Sequence, residues 1–237
     1  TFLGLISTVL PICIGKATRL IEYLEDDKEY LATVQFGKNT TTYDIEGEIT
    51  ESFANRITQE DLELTLNKFR GEIEQLPPIY SAIKVNGKKL YEYARKGETV
   101  EIKPRKVTIS KLELKNFDYE NQTAELLIAC SKGTYIRSIA YDLGQHLKCG
   151  GYLTKLVRTK AGAFTIDTSI HLDGINVNEN LINPIDIIQL DKIEISDNEH
   201  EKILHGQAIE NKTNCVDFVI LIYNNSISAI GYAENSI

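Results

Sequence analysis

Pro77-Pro78-Ile79-Tyr80-Ser81-Ala82-Ile83-Lys84-Val85-Asn86-Gly87-Lys88-Lys89-Leu90-Tyr91-Glu92-Tyr93-Ala94-Arg95 is the stretch from which the fold is read. Two prolines stop whatever precedes them, since neither can donate a backbone N–H. Asn86-Gly87 then separates two strand-like runs, Ile79 to Val85 and Lys88 to Tyr93, and this dipeptide favours a two-residue type I′ hairpin loop. Upstream, Thr58-Gln59-Glu60-Asp61 has the form of a capping box, followed by Leu62, Leu66 and Phe69 at helical spacing. A hairpin therefore follows directly on a helix.

Working outward, Gly15 to Asp27 spaces Ala17, Leu20, Ile21 and Leu24 as an amphipathic helix, and Tyr30, Ala32, Val34 and Phe36 alternate as a half-buried strand. Further strands are expected at Val107–Leu114 and Ala124–Cys130, joined through Glu120-Asn121. Ile136, Ile139, Ala140, Leu143 and Leu147 mark one helical face closed by Gly150 and Gly151. Hairpins with interposed helices indicate an α+β fold with a mixed sheet. Near residues 173–190 the composition turns to Asn, Asp and Ile. Short β-rich runs (Asp217 to Tyr223, Ser226 to Tyr232) then meet at Asn224-Asn225. The expected division is one domain over 1–180 and a small β-rich module over 190–237.

The 237-residue chain has a formal net charge of −8, which at first argues against a nucleic-acid partner. The distribution says otherwise. Residues 173–237 carry 11 acids and 3 bases, so residues 1–172 are neutral overall, and residues 84–115 hold ten Lys/Arg against four Glu. A local basic surface on an acidic protein can hold a phosphate backbone. No apolar run approaches the ~20 residues of a membrane span. The four cysteines are scattered without a CxxC pair, which reads as reduced thiols in a cytoplasmic protein. His200 and His205 lie off one helical face with no cysteine near them in sequence, so no metal site is expected.

Several segments together resemble bacterial tRNA pseudouridine synthases of the TruB family. They are Leu10-Pro11-Ile12-Cys13-Ile14-Gly15-Lys16-Ala17-Thr18, Asp27-Lys28-Glu29-Tyr30 with Phe36-Gly37 and Thr42-Tyr43-Asp44-Ile45-Glu46-Gly47, the quoted Pro77–Arg95 stretch, Ser131-Lys132-Gly133-Thr134-Tyr135-Ile136-Arg137, and Leu156-Val157-Arg158-Thr159. The resemblance runs from about residue 7 to 166 in the family's order. A looser likeness over Glu199 to Ile209 suggests the start of a PUA-type RNA-binding module.

The resemblance implies an isomerase that converts uridine to pseudouridine at position 55 in the tRNA T-loop. It implies no cofactor, a tRNA T-arm partner and a monomer. Such chemistry needs an extruded base, a carboxylate beside the sugar–base bond and a route for the C5 proton. By resemblance, Tyr30 stacks on the flipped uracil and Arg137 pairs with the nucleophilic aspartate. Tyr135 lies by the base, two residues before Arg137 and on the same face if the segment is extended. Leu156 walls the pocket, and Asp44 borders the cleft. Lys84, Lys88 and Lys89 offer a basic hairpin to RNA phosphates.

One departure stands out. The family's nucleophilic aspartate is expected at Leu3, where a leucine can neither attack C1′ nor pair with Arg137, and no carboxylate precedes Glu22. Two readings follow. In one, residues 1–8 are a misassigned stretch of an N-terminally truncated copy of an active enzyme. In the other, the chain is an inactive relative that binds tRNA or assists its folding. The first is preferred, because the substrate-facing residues are present.

Overall fold

The structure is a computed structural model that describes residues 6–234. It divides into two compact units. The first holds residues up to Pro11 together with Asp26–Ser169; the second holds Ile12–Glu25 together with the chain from Ile170 onward. The division is therefore not a single cut between 180 and 190. Residues 12–25 leave the unit that precedes and follows them and pack with the C-terminal one.

The first unit is built on strands β1 (Ile6–Thr8), β2 (Lys28–Phe36), β3 (Lys38–Thr40), β4 (Ile49–Ser52), β5 (Gly71–Gln75), β6 (Lys84–Val85), β7 (Lys88–Lys89), β8 (Arg105–Asp118), β9 (Thr123–Cys130), β10 (Gly151–Ala161) and β11 (Phe164–Thr165). Its helices are α1 (Gln59–Leu66), α2 (Leu90–Lys96) and α3 (Ile136–His146). The main sheet runs β1-β10-β2-β9-β8-β5, with β11 added to β10. Only the β1–β10 pair in it is parallel. This is the expected α+β mixed sheet.

The core forms where the period-2 faces of the strands meet α1 and α3. Ala32, Val34 and Phe36 on β2, and Ala124, Leu126, Ile128 and Cys130 on β9, pack in one cluster with Leu62, Leu66 and Phe69 and with Ile136, Ile139, Ala140 and Leu143. The capping box at Thr58 is present: Thr58 Oγ1 accepts from Asp61 N, and Asp61 Oδ2 accepts from Thr58 N. Asn86 (φ 50°) and Gly87 (φ 82°) form the expected left-handed pair of a type I′ turn. Both strands of that hairpin are shorter than expected, Lys84–Val85 in place of Ile79–Val85 and Lys88–Lys89 in place of Lys88–Tyr93. After Lys89 the chain turns into α2, because Leu90 is fully buried and Tyr91 to Lys96 are acceptable helix residues closed by left-handed Gly97.

Close backbone contact fixes α3 on the sheet. A side chain at Gly144 would lie 2.2 Å from the Gly150 carbonyl carbon and the Gly151 nitrogen. Because the obstructing atoms are main chain, Gly144→Ala is expected to cost about 3 kcal/mol. Urea unfolding checks this, and a loss below about 1 kcal/mol would show that helix and strand can separate cheaply.

The second unit holds a 3₁₀ helix at Gly15–Tyr23, short helices α4 (Val177–Asn180) and α5 (Pro184–Ile187), α6 (Asp197–Leu204), and the three-stranded sheet β12 (Asp191–Glu194), β13 (Phe218–Tyr223) and β14 (Ser226–Tyr232). The expected α-helix over 15–27 is thus a shorter 3₁₀ segment. Its Leu20 and Tyr23, with Leu24, pack on Ile185, Ile188, Ile220 and Ile222. Asn224 and Asn225 both take positive φ at the β13–β14 turn, as their sequence anticipates. Among the described residues, no helix is long and apolar enough to cross a membrane.

Candidate active site

Arg137 lies in the first turn of α3, and its guanidinium is held by three acceptors. Nη1 donates to Asp44 Oδ2 and to the Thr42 carbonyl, both at 3.1 Å, and Nη2 donates to the Tyr80 carbonyl at 2.9 Å. The Asp44 side chain is 2% exposed and that of Arg137 21%. Burying such a pair is favourable only when the remaining lone pairs and protons also find partners. Here they do for the carboxylate: Asp44 Oδ1 accepts from Thr42 Oγ1 at 2.5 Å and from Glu46 N at 3.1 Å. Asp44 is held in turn by its backbone. Ile45 N donates to the Leu153 carbonyl, and Leu153 N donates to that of Tyr43, so the loop docks on β10. Tyr43, left-handed at φ 62°, stacks on Tyr141 one helical turn beyond Arg137, with centroids 4.0 Å apart.

The expected carboxylate partner of Arg137 was an aspartate at the Leu3 position, which lies outside the described residues. The partner seen is Asp44. Both its oxygens are engaged inside the chain, so it is poorly placed to attack a sugar carbon. Its geometry suits holding Arg137 still. It is also both of the things that sequence allowed: a loop aspartate bonded to its own backbone at Glu46, and a residue of the cleft network.

Tyr135 and Arg137 do not sit on one face of an extended segment. Tyr135 is the N-cap of α3 and Arg137 its second residue, because Ile136 starts the amphipathic face that the core demands. The Tyr135 backbone is gripped from β5: its N–H donates to Gln75 Oε1 at 2.8 Å, and Gln75 Nε2 donates to its carbonyl at 3.1 Å. Gln75 is buried, and sequence reading passed it over. A lone glutamine before two prolines carries no periodic signal, and its partner is 60 residues away.

Tyr30 continues the buried row of β2, pairs with Arg158 on β10 and Ile128 on β9, and packs against the edge of the core. Burial raises its phenol pKa, with the nearby Arg158 guanidinium opposing. Leu156, two residues from Arg158, is buried in the same cluster as Ile136. Tyr30, Leu156 and the start of α3 thus border one region of core.

Lys84 and Lys89 face each other across β6 and β7. Lys88 is tied to Glu98 at 3.6 Å and lies over the Tyr93 ring, while Lys89 lies over Tyr91. Ser81, just before the hairpin, is buried, and its Oγ has no hydrogen-bond partner among the described residues.

Further along α3, burial pushes the Asp142 carboxyl up to about 6, with the positive field of His146 opposing. An unfolded aspartate titrates near 3.9. The raised folded value means that this group's stabilising contribution is fully present below about pH 4. It is lost as pH rises toward 6. Asp142→Asn is therefore expected to stabilise the protein by about 1–2 kcal/mol at pH 7, after allowing for partial exposure, and by nothing at pH 3.5. Urea titrations at the two pH values check it; an equal gain at both would remove the titration account.

The family described as TruB family pseudouridylate synthase (N terminal domain) matches residues 5–136, a span that begins beyond Leu3. The tRNA pseudouridine synthase B of Chromobacterium violaceum is 45% identical over 215 residues, covering 87% of this chain and 70% of that protein. The protein of the same name from Caldanaerobacter subterraneus subsp. tengcongensis is 43% identical over 231 residues, covering 95% and 81%. Among solved structures, the Cbf5-Nop10-Gar1 complex contains a chain that superposes with a TM-score of 0.66 at 22% identity, covering 97% of this chain and 67% of that one. At that identity the likeness speaks to the fold.

Proposed function

This chain belongs to the TruB family of pseudouridylate synthases, and we propose that it isomerises uridine to pseudouridine at position 55 in the T-loop of tRNA. The observation that carries the reading is the Arg137 network at the start of α3. A half-buried, preorientated guanidinium lies two residues beyond Tyr135, in a chain most of which is matched by relatives named tRNA pseudouridine synthase B.

Arg137 has five N–H donors, and the three contacts above leave Nε–H and one Nη2–H for a further acceptor. That remaining pair suits a second carboxylate: the nucleophile that attacks C1′ as the C1′–N1 bond to uracil breaks is the aspartate expected where this sequence has Leu3, and the isomerase reading requires it there. The extruded uracil stacks on Tyr30 against the Leu156 wall, which offsets part of the cost of leaving the RNA stack. Tyr135 stands by the base as the group that moves the C5 proton. Asp44 acts through Arg137, as a positioning residue rather than as a substrate contact.

The hairpin of Lys84, Lys88 and Lys89 meets tRNA phosphates. Lys84→Ala and Lys89→Ala should each weaken tRNA binding and reduce the slope of log affinity against log salt by about one. Lys88→Ala should do less, because Glu98 already neutralises it. Filter binding across a salt series tests this, and slopes unchanged from wild type in all three variants would remove the hairpin from the interface.

The second reading is tRNA binding without turnover, and it rests on Leu3. Tritium release from tRNA labelled at uridine C5 separates the two. Release by the wild-type chain supports the isomerase, whereas tight binding with no release favours the inactive relative.

A further inference from the structure

Helix α3 begins without the cap that its position calls for. Helix starts are normally satisfied by Ser, Thr, Asp or Asn, whose side chains accept from the first free N–H groups. The N-cap here is Tyr135, whose ring makes no capping hydrogen bond. A local rule is broken at a residue by the proposed site, and the N-cap's own main chain is held instead from far away in sequence, without the side-chain cap bond being replaced. Gln75 at the end of β5, 1% exposed, spends both ends of its carboxamide on the main chain of Tyr135. The stitching continues along the same segment. Ser138 Oγ donates to the Leu76 carbonyl at 2.9 Å, and Arg137 Nη2 donates to that of Tyr80.

We propose that Gln75 is a positioning residue for the isomerisation: its two hydrogen bonds fix the Tyr135 backbone, and through it the Tyr135 ring and the first turn that carries Arg137. The inference rests on the function proposed above for Tyr135 and Arg137. A neutral amide can accept from an N–H and donate to a C=O within one planar group, and of the charged and neutral carboxyl forms only the protonated one can do the same, so a buried glutamate could imitate it. Methionine, of similar length and volume, cannot donate. Leucine loses both bonds. Displacement of a reacting group by about 1 Å can cost up to ~100-fold in rate.

The test uses the full chain as wild type, Gln75→Met and Gln75→Leu, with 3-fluorotyrosine at position 135 for the fluorine spectra and the natural tyrosine there for tritium release. Fluorine NMR and tritium release are measured at a temperature where circular dichroism shows each protein folded. Gln75→Met is the decisive variant should Gln75→Leu fail to fold. The expected result is a shifted or broadened residue-135 resonance and a kcat about tenfold lower, with KM within twofold. An unchanged resonance in folded Gln75→Met overturns the proposal. So does a shifted resonance with an unaltered kcat, or a loss confined to KM. Should wild type release no tritium, the isomerase reading fails by itself, and the fluorine spectrum still decides whether Gln75 fixes Tyr135.

Discussion

Asp44→Ala is expected to destabilise the protein by about 3 kcal/mol or more, because it strands a half-buried guanidinium without its counter-charge. The carboxylate carries three functions in one group: it receives Arg137, accepts from Thr42 Oγ1 and closes the turn through Glu46 N, while the residue's main chain separately bridges to Leu153 of β10. Truncation removes all three and leaves Arg137 on two carbonyls. Asp44→Asn keeps the Oδ1 contacts and should fall between wild type and alanine. The double variant Asp44→Ala/Arg137→Leu should recover part of the loss, since removing both charges from a buried site is often close to neutral. Chemical denaturation of wild type, Asp44→Ala, Arg137→Leu and the double variant gives the cycle. A single-variant loss below about 1 kcal/mol, or strict additivity in the double, would mean that Arg137 does not depend on Asp44.

Tyr30→Ala should lower turnover by about 100-fold while tRNA affinity stays within about threefold. Base–aromatic stacking is worth about 1–3 kcal/mol, and on the reading above it is realised only once the uracil has left its stack. The rest of the tRNA contact surface is untouched by this change. Tyr30→Phe retains the ring and gives up only the hydroxyl near Arg158, so it should work at close to the wild-type rate. Single-turnover tritium release and filter binding measure the two quantities on the same preparations. Parallel losses in rate and affinity would make Tyr30 a binding contact and not a platform for the flipped base.

Both expectations turn on residues that sequence reading named, yet it placed them unequally well. Tyr30 was legible as a strand residue, and its alternation with Ala32, Val34 and Phe36 puts it on the buried face that the structure shows. Arg137 was legible as a site residue by resemblance, but its partner was assigned to the position now held by Leu3. Nothing in the run Thr42 to Gly47 announces that its aspartate will meet an arginine 93 residues later. Gln75 was not legible at all. The strand expected over Lys88–Tyr93 failed for a related reason: alternation over four residues fits a strand or a helix turn, and the buried pocket that receives Leu90 decided for the helix.

What the sequence determined by itself is the local grammar and the lineage. The capping box at Thr58, the Asn86-Gly87 and Asn224-Asn225 turns and the two-residue period of β2 and β9 are set by interactions within a few residues, so they survive translation into structure. The family follows from motifs in order along the chain. The tertiary structure alone decided that residues 12–25 pack with the C-terminal unit, that Asp44 holds Arg137, and that Gln75 holds Tyr135 where a cap would stand. These contacts join segments tens of residues apart. Periodicity tells a side chain that it must be buried, but only the register of the sheet and the docking of α3 tell it against what.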